Sequence, residues 1–166
     1  DTIAGVLSGS KEMIARIFKS EYNNIGSGIQ PFNAWLLLRG LRTLLLRLHR
    51  ITATTDKVIL FLKQQHNVEE VIFPFSKSFA QYDLAKQQMD GACGLLTFIL
   101  RDVNTVQIEK FCESLHHIKM AVSWGGHESL IVPRCAGLPI KDFDAKNKEH
   151  RMIRLYVGLE DAAYII

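Results

Sequence analysis

The sequence lacks most features that assign a protein class at a glance. Its 166 residues hold three cysteines, Cys93, Cys112 and Cys135, with no Cys-x-x-Cys spacing. An odd, scattered set excludes a disulfide framework and a cysteine-rich zinc site, and fits a reducing compartment such as the cytoplasm. Charge of one sign is scarce. Lys+Arg number 20 and Asp+Glu 17, leaving +3, too little to argue for nucleic acid. Residues 1–9 show no signal-peptide pattern. The most apolar stretch, residues 34–48, is interrupted by Arg39, Arg42 and Arg47, so it is no membrane span. What is present is ordinary for a folded domain. Hydrophobic residues make up 48% and charged residues 22%, which excludes intrinsic disorder and supplies a sizeable core. Two features fit a piece of a longer polypeptide: there is no methionine at position 1, and the sequence closes on Ile165 and Ile166 without a glycine cap.

Periodicity orders the chain. Thr2–Leu7 reads as a strand, ended by Ser8-Gly9-Ser10. Ser10 is an N-cap for a helix from Lys11 to about Glu21. Pro31 opens the longest helical segment, to about Arg50. At about 100° per residue, Leu37, Leu38, Leu41, Leu44, Leu45 and Leu48 form one stripe meant for burial, with arginines opposite. The β-branched run Thr52–Thr55 predicts a joint before a second helix over residues 56–65. Strands are expected at residues 68–73, 94–100, 118–123, 129–132 and 151–157. Helices are expected at residues 79–89 and from Asn104, whose spacing to Gln107 is that of a capping box. Residues 137–148 are loop-like. The expected result is one mixed or antiparallel sheet with helices on one face, an α+β arrangement.

Most candidate chemistry has an ordinary explanation. Gly26-Ser27-Gly28 lacks the flanking pattern of a phosphate loop. The arginines at 39–50 have no interleaved aromatics. His116, His117, His127 and Cys112 match no zinc spacing, so no metal is expected. Cys112 and Cys135 would need a paired base to act as nucleophiles. Two features stand out. Arg154 lies mid-strand, on the face of Met152 and Tyr156, opposite Ile153, Leu155 and Val157. A charge among apolar neighbours needs a carboxylate partner, either internal, such as Asp161 or Glu128, or on a ligand. The second feature is Ser123-Trp124-Gly125-Gly126, where a strand runs into a double-glycine turn directly after a serine. Such a turn either simply joins two strands or lets backbone approach a ligand.

Three motifs carry a resemblance. Pro31-Phe32-Asn33-Ala34-Trp35-Leu36-Leu37-Leu38-Arg39-Gly40-Leu41-Arg42-Thr43-Leu44, with Arg47, resembles the linking helix of the Cys/Met-metabolism enzymes that use pyridoxal phosphate. Ser123-Trp124-Gly125-Gly126 with Glu128-Ser129-Leu130-Ile131 resembles their substrate-site turn. Ile153-Arg154-Leu155 with Val157-Gly158-Leu159-Glu160-Asp161 resembles their closing strand and helix. The motifs stand in family order over nearly the whole chain.

The resemblance implies an α/β enzyme of fold type I, the pyridoxal-phosphate-dependent transferase class, with a C-terminal α+β small domain. Residues 1–53 would be the tail of the large domain plus the linking helix, and residues 54–166 the small domain. Asp1 would lie a few residues past the cofactor-binding lysine. The implied activity is that of a carbon–sulfur lyase of trans-sulfuration, cystathionine β-lyase-like, or of a γ-synthase. The alternative is a free-standing, non-catalytic domain. By position, Arg154 would grip the substrate carboxylate and Ser123 would assist. Val122 and Trp124 would lie near the substrate side chain. Leu45 and residues 133–148 depart from the family pattern. The resemblance places no catalytic residue in this chain, because the Schiff-base lysine is absent, and it leaves the cofactor-binding residues unassigned. The chain alone is therefore expected to be inactive. Pyridoxal phosphate, a sulfur amino-acid substrate and a homo-oligomer built as a dimer of dimers are the partners implied for the full enzyme.

Overall fold

The computed structural model describes residues 2–26 and 28–166, so Asp1 and Ser27 of the Gly-Ser-Gly stretch lie outside the described residues. The chain divides into two compact units, residues 1–46 and 47–166.

In the first unit, residues 2–10 form no strand, contrary to the alternation of Thr2–Leu7, and Ile3 and Val6 are 97% and 88% exposed. An apolar run becomes a strand only when a neighbour takes its amides, and no ladder forms at these residues. Ser10 caps α1 (Lys11–Ile17) as expected, accepting the Met13 N–H at 3.2 Å. The winding loosens to a π turn over Phe18–Tyr22 and ends in α2 (Asn23–Ile25). Pro31 occupies the first turn of α3 (Pro31–Leu41). No residue of α1, α2 or α3 is buried. Leu38, Leu41 and Leu45 of the leucine stripe are more than half exposed, while Leu37, Leu44 and Leu48 are half-buried, so the stripe expected to be buried is only partly covered among the described residues.

The helix expected over residues 31–50 breaks earlier, at a turn over Arg42 and Thr43, and α4 (Leu44–Gln64) then runs straight through Thr52–Thr55. Weak helix propensity is overridden by burial and by one tertiary bond. Thr55, fully buried, returns its hydroxyl to the Ile51 carbonyl at 2.8 Å, and the Thr54 hydroxyl donates to the Glu160 carbonyl at 3.2 Å.

The second unit is built on a mixed sheet in the order β1-β2-β5-β4-β3, from Val68–Ile72, Leu95–Leu100, Lys119–Met120, Leu130–Pro133 and Met152–Tyr156 in chain order. All pairings are antiparallel except β3 with β4. The register pairs Leu96 with Leu155 and Phe98 with Ile153, which puts these residues on one face. There they pack with Val58, Ile59 and Leu62 of α4 and with Ile108 and Cys112 of α6 (Thr105–Ser114). The capping box of α6 is present as expected. Asn104 accepts the Gln107 N–H, and the Gln107 side chain accepts the Asn104 N–H, both at 2.9 Å. A short α5 (Tyr82–Gln88) precedes β2. The strand expected at 118–123 shrinks to two residues, because the carbonyls at 121–123 turn to Arg154. One turn of helix, α7 (Ala162–Ile165), follows β5 behind an Asp161 cap.

A buried charge ties the start of β1 to the start of β5. Arg151, 6% exposed, lies 2.6 Å from Glu69, whose other oxygen lies 2.9 Å from Lys148. The hydrogen bond from Arg151, with that from Lys148, holds the Glu69 carboxyl down to about 2. A carboxyl depressed in the folded state stabilises above its ordinary value near 4.5, and the contribution drains away as pH falls toward about 2. Glu69→Gln should therefore be less stable than the parent at neutral pH and lose less stability between pH 5 and 2. Denaturant melts across that window check this, and parallel pH curves for parent and variant would refute it.

Candidate functional site

Strand alternation puts Arg154 on the face opposite the main core, with Thr97 of β2 and Val132 of β4 as its lateral neighbours. Its Nη2 donates to the carbonyls of Ala121, Val122 and Ser123. Its Nε is buried without a partner. Neither carboxylate expected from the sequence reaches it. Asp161 is held by Arg50 at 3.1 Å, and Glu128 lies 3.1 Å from the His127 ring. Among the described residues the Arg154 guanidinium has no carboxylate partner at all. Bond for bond, a carboxylate is the stronger acceptor for a guanidinium, because both partners are ionised and two parallel bonds can form.

The turn that follows is open. Val122 is exposed, and Trp124 is 61% exposed. Gly125 has φ of +89°, the left-handed region that favours glycine. An added Cβ at Gly125 or Gly126 would meet nothing within 4 Å. The geometry thus brings Arg154 together with the backbone of Val122 and Ser123 and leaves the apolar side chains of Val122 and Trp124 exposed.

Sequence reading missed how the far end of this turn is held. Ser129, 1% exposed, donates its N–H to Glu160 Oε1 at 2.7 Å and its hydroxyl to Oε2 at 2.9 Å. The same hydroxyl accepts the Gly158 N–H at 2.9 Å. The Leu159 N–H donates to the His127 carbonyl at 2.8 Å, and the Tyr156 hydroxyl to the Gly126 carbonyl at 2.9 Å. Nothing local marks Ser129 and Glu160 as partners, since 31 residues separate them.

The remaining candidates come apart. Burial pushes the Cys112 thiol up to about 11, and burial also raises Cys135, so neither is a ready thiolate at neutral pH. Among the described residues no group of three or more His, Cys, Asp or Glu side chains is placed to hold a metal ion. Among them, too, no helix is long and apolar enough to cross a membrane.

Comparison with known proteins decides the family. The profile of the Cys/Met metabolism PLP-dependent enzymes matches residues 1–166. The chain belongs to this family. It is 34% identical over 164 residues to a cystathionine β-lyase of Lactococcus lactis subsp. cremoris, covering 96% of this chain and 43% of that one. It is 34% identical over 172 residues to an L-methionine γ-lyase of Treponema denticola, covering 100% of this chain and 42% of that one. Its fold matches a cystathionine γ-synthase of Xanthomonas oryzae pv. oryzae, solved with aminoacrylate and cysteine, with a TM-score of 0.79 and 28% identity over 93% of this chain and 41% of that one. The chain thus spans less than half the length of the relatives it matches.

Family membership makes pyridoxal phosphate the cofactor of this enzyme type, and the α/β fold type I class holds for the chain. The Arg154 guanidinium, with no carboxylate partner among the described residues, is open to an anionic one. An added Cβ on Gly28 would lie 2.9 Å from the Tyr22 hydroxyl, and one on Gly26 would meet nothing within 4 Å.

Proposed function

We propose that this chain serves as the C-terminal part of a pyridoxal-phosphate-dependent carbon–sulfur lyase of sulfur amino-acid metabolism, cystathionine β-lyase-like, in which Arg154 receives the substrate α-carboxylate. The observation that carries the reading is the mid-strand guanidinium whose only hydrogen-bond acceptors among the described residues are neutral carbonyls. The names of the relatives support the reaction class. In this reading residues 1–53 are the tail of the large domain with its linking helix, and residues 54–166 are the small domain. The cofactor-binding lysine lies outside the chain, which does not turn over alone. The full enzyme is a cytoplasmic homo-oligomer, a dimer of dimers.

When bound, the cofactor supplies an electron sink for bond breaking next to the amino group. The chain's own part is binding and orientation. Arg154 offers a planar fork to the carboxylate, so two parallel N–H···O bonds fix one end of the amino acid and its rotation. The carboxylate takes Nη2 from the carbonyls of residues 121–123, the gain being that of an ionised over a neutral acceptor. Ser123 stands beside this exchange and offers a hydroxyl to the same carboxylate. Val122 and Trp124 present apolar surface to the substrate side chain.

The test is made in the enzyme that carries this chain. Replacing the substrate carboxylate by a neutral amide should weaken competitive binding by about 30-fold or more, the cost of leaving a guanidinium unmatched being about 2 kcal/mol. Equal binding of acid and amide would remove Arg154 from the substrate site.

A further inference from the structure

The turn at 123–128 is held at both ends, by different means. At its near end the carbonyls of residues 121–123 accept from Arg154 Nη2. At its far end the Glu160 carboxylate takes both donors of Ser129, and the Ser129 hydroxyl in turn takes the Gly158 N–H. The segment that carries Glu160 is itself pinned to α4. The Thr54 hydroxyl donates to the Glu160 carbonyl at 3.2 Å, Arg50 Nε to the Leu159 carbonyl at 3.2 Å, and Arg50 Nη2 to Asp161 at 3.1 Å. The near end and the far end therefore differ in one respect. A carboxylate arriving at Arg154 competes for the bonds of the near end, whereas it touches none of the bonds of the far end.

We propose that Glu160, acting through Ser129, is the positioning residue that keeps the turn at 123–128 in place while Arg154 trades its carbonyl partners for a substrate carboxylate, an inference that rests on the reading of Arg154 given above. Without the far clamp, freeing the near end leaves the turn on the Tyr156–Gly126 and Leu159–His127 bonds alone, and Ser123 is held less closely beside the guanidinium when the carboxylate arrives. The cost falls on substrate binding. Glu160 touches neither substrate nor reacting atoms, so turnover of bound substrate changes little. The charge of Glu160 is not what matters. A glutamine keeps an acceptor for the Ser129 N–H, and its NH2 can donate to the Ser129 hydroxyl, which loses its own acceptor, so it holds the turn in part.

Steady-state kinetics of the enzyme that carries this chain test the proposal. Glu160→Ala should raise KM about tenfold, the scale of a lost hydrogen-bonded clamp of about 1.4 kcal/mol, with kcat changed less than about twofold. Glu160→Gln should stay within about threefold of the parent KM. In an Arg154→Ala background, Glu160→Ala should add no more than about twofold, because residues acting as one unit are not additive. A purely structural role would give a tenfold effect in both backgrounds or a fall in kcat at constant KM, and either result overturns the proposal. Where Glu160→Ala fails to fold, Glu160→Asp keeps the charge and retracts it by one methylene. It should raise KM about threefold, on the scale of one weakened hydrogen bond, and an unchanged KM overturns the proposal. An Arg154→Ala enzyme with parental kinetics would instead overturn the reading of the site on which this inference rests.

Discussion

Arg154→Ala is expected to lower kcat/KM of the enzyme carrying this chain by about 10² to 10³-fold. Truncating one partner of a hydrogen-bonded charge pair costs about 2–5 kcal/mol, and each 1.4 kcal/mol is about tenfold. Most of the loss should appear in KM. Arg154→Lys keeps the charge but loses the fork, and should recover only a small part of it. The fold should survive. The carbonyls of Val122 and Ser123 belong to exposed residues, so water replaces the lost guanidinium, and the melting temperature should move by only a few degrees. A variant with parental kcat/KM would end the assignment.

The second large effect is on stability, at Gly158. An added Cβ there would lie 2.3 Å from the His127 carbonyl oxygen and 2.6 Å from the Glu128 carbonyl carbon. Both are backbone atoms, so no side chain can swing aside. Its φ lies outside the left-handed region, so the demand for glycine here is one of space. Gly158→Ala must push the strand exit away from the turn, lengthening the Gly158–Ser129 and Leu159–His127 bonds together. Overpacking against backbone costs about 3 kcal/mol, a fall of roughly 10 °C in melting temperature for a domain of this size. Gly126→Ala is the matched control. An added Cβ there meets nothing within 4 Å, and its stability should change by less than about 0.5 kcal/mol. Equal melting temperatures for the two variants would show that the strand exit has slack.

Legibility in the sequence followed the range of the forces. Ser10 and the Asn104–Gln107 pair announced helix starts, because a cap is satisfied within three residues of itself. The alternation of Ile153, Leu155 and Val157 announced the core face of β5, because the strand period is local. The same reasoning failed at Thr2–Leu7, where a strand-like pattern found no ladder. It failed again at Thr52–Thr55, where a helix-poor run was stabilised by Thr54 and Thr55 bonds, one of them to a residue more than a hundred positions away.

By itself the sequence determined the family, through three motifs in order, and with it the mixed α/β class and the order of the elements that make the second unit. It also placed an arginine on the non-core face of β5. Only the tertiary structure decided which groups that arginine meets. Asp161 went to Arg50, Glu128 stayed beside His127, and the guanidinium was left with carbonyls. The structure alone also joined Ser129 to Glu160 and shortened β3 where its carbonyls turned aside. The physical reason is common to all of these. A charge or hydroxyl does not choose its partner by spacing along the chain. It takes the partner that chain closure brings within about 3 Å, and that contact exists only once the sheet has formed.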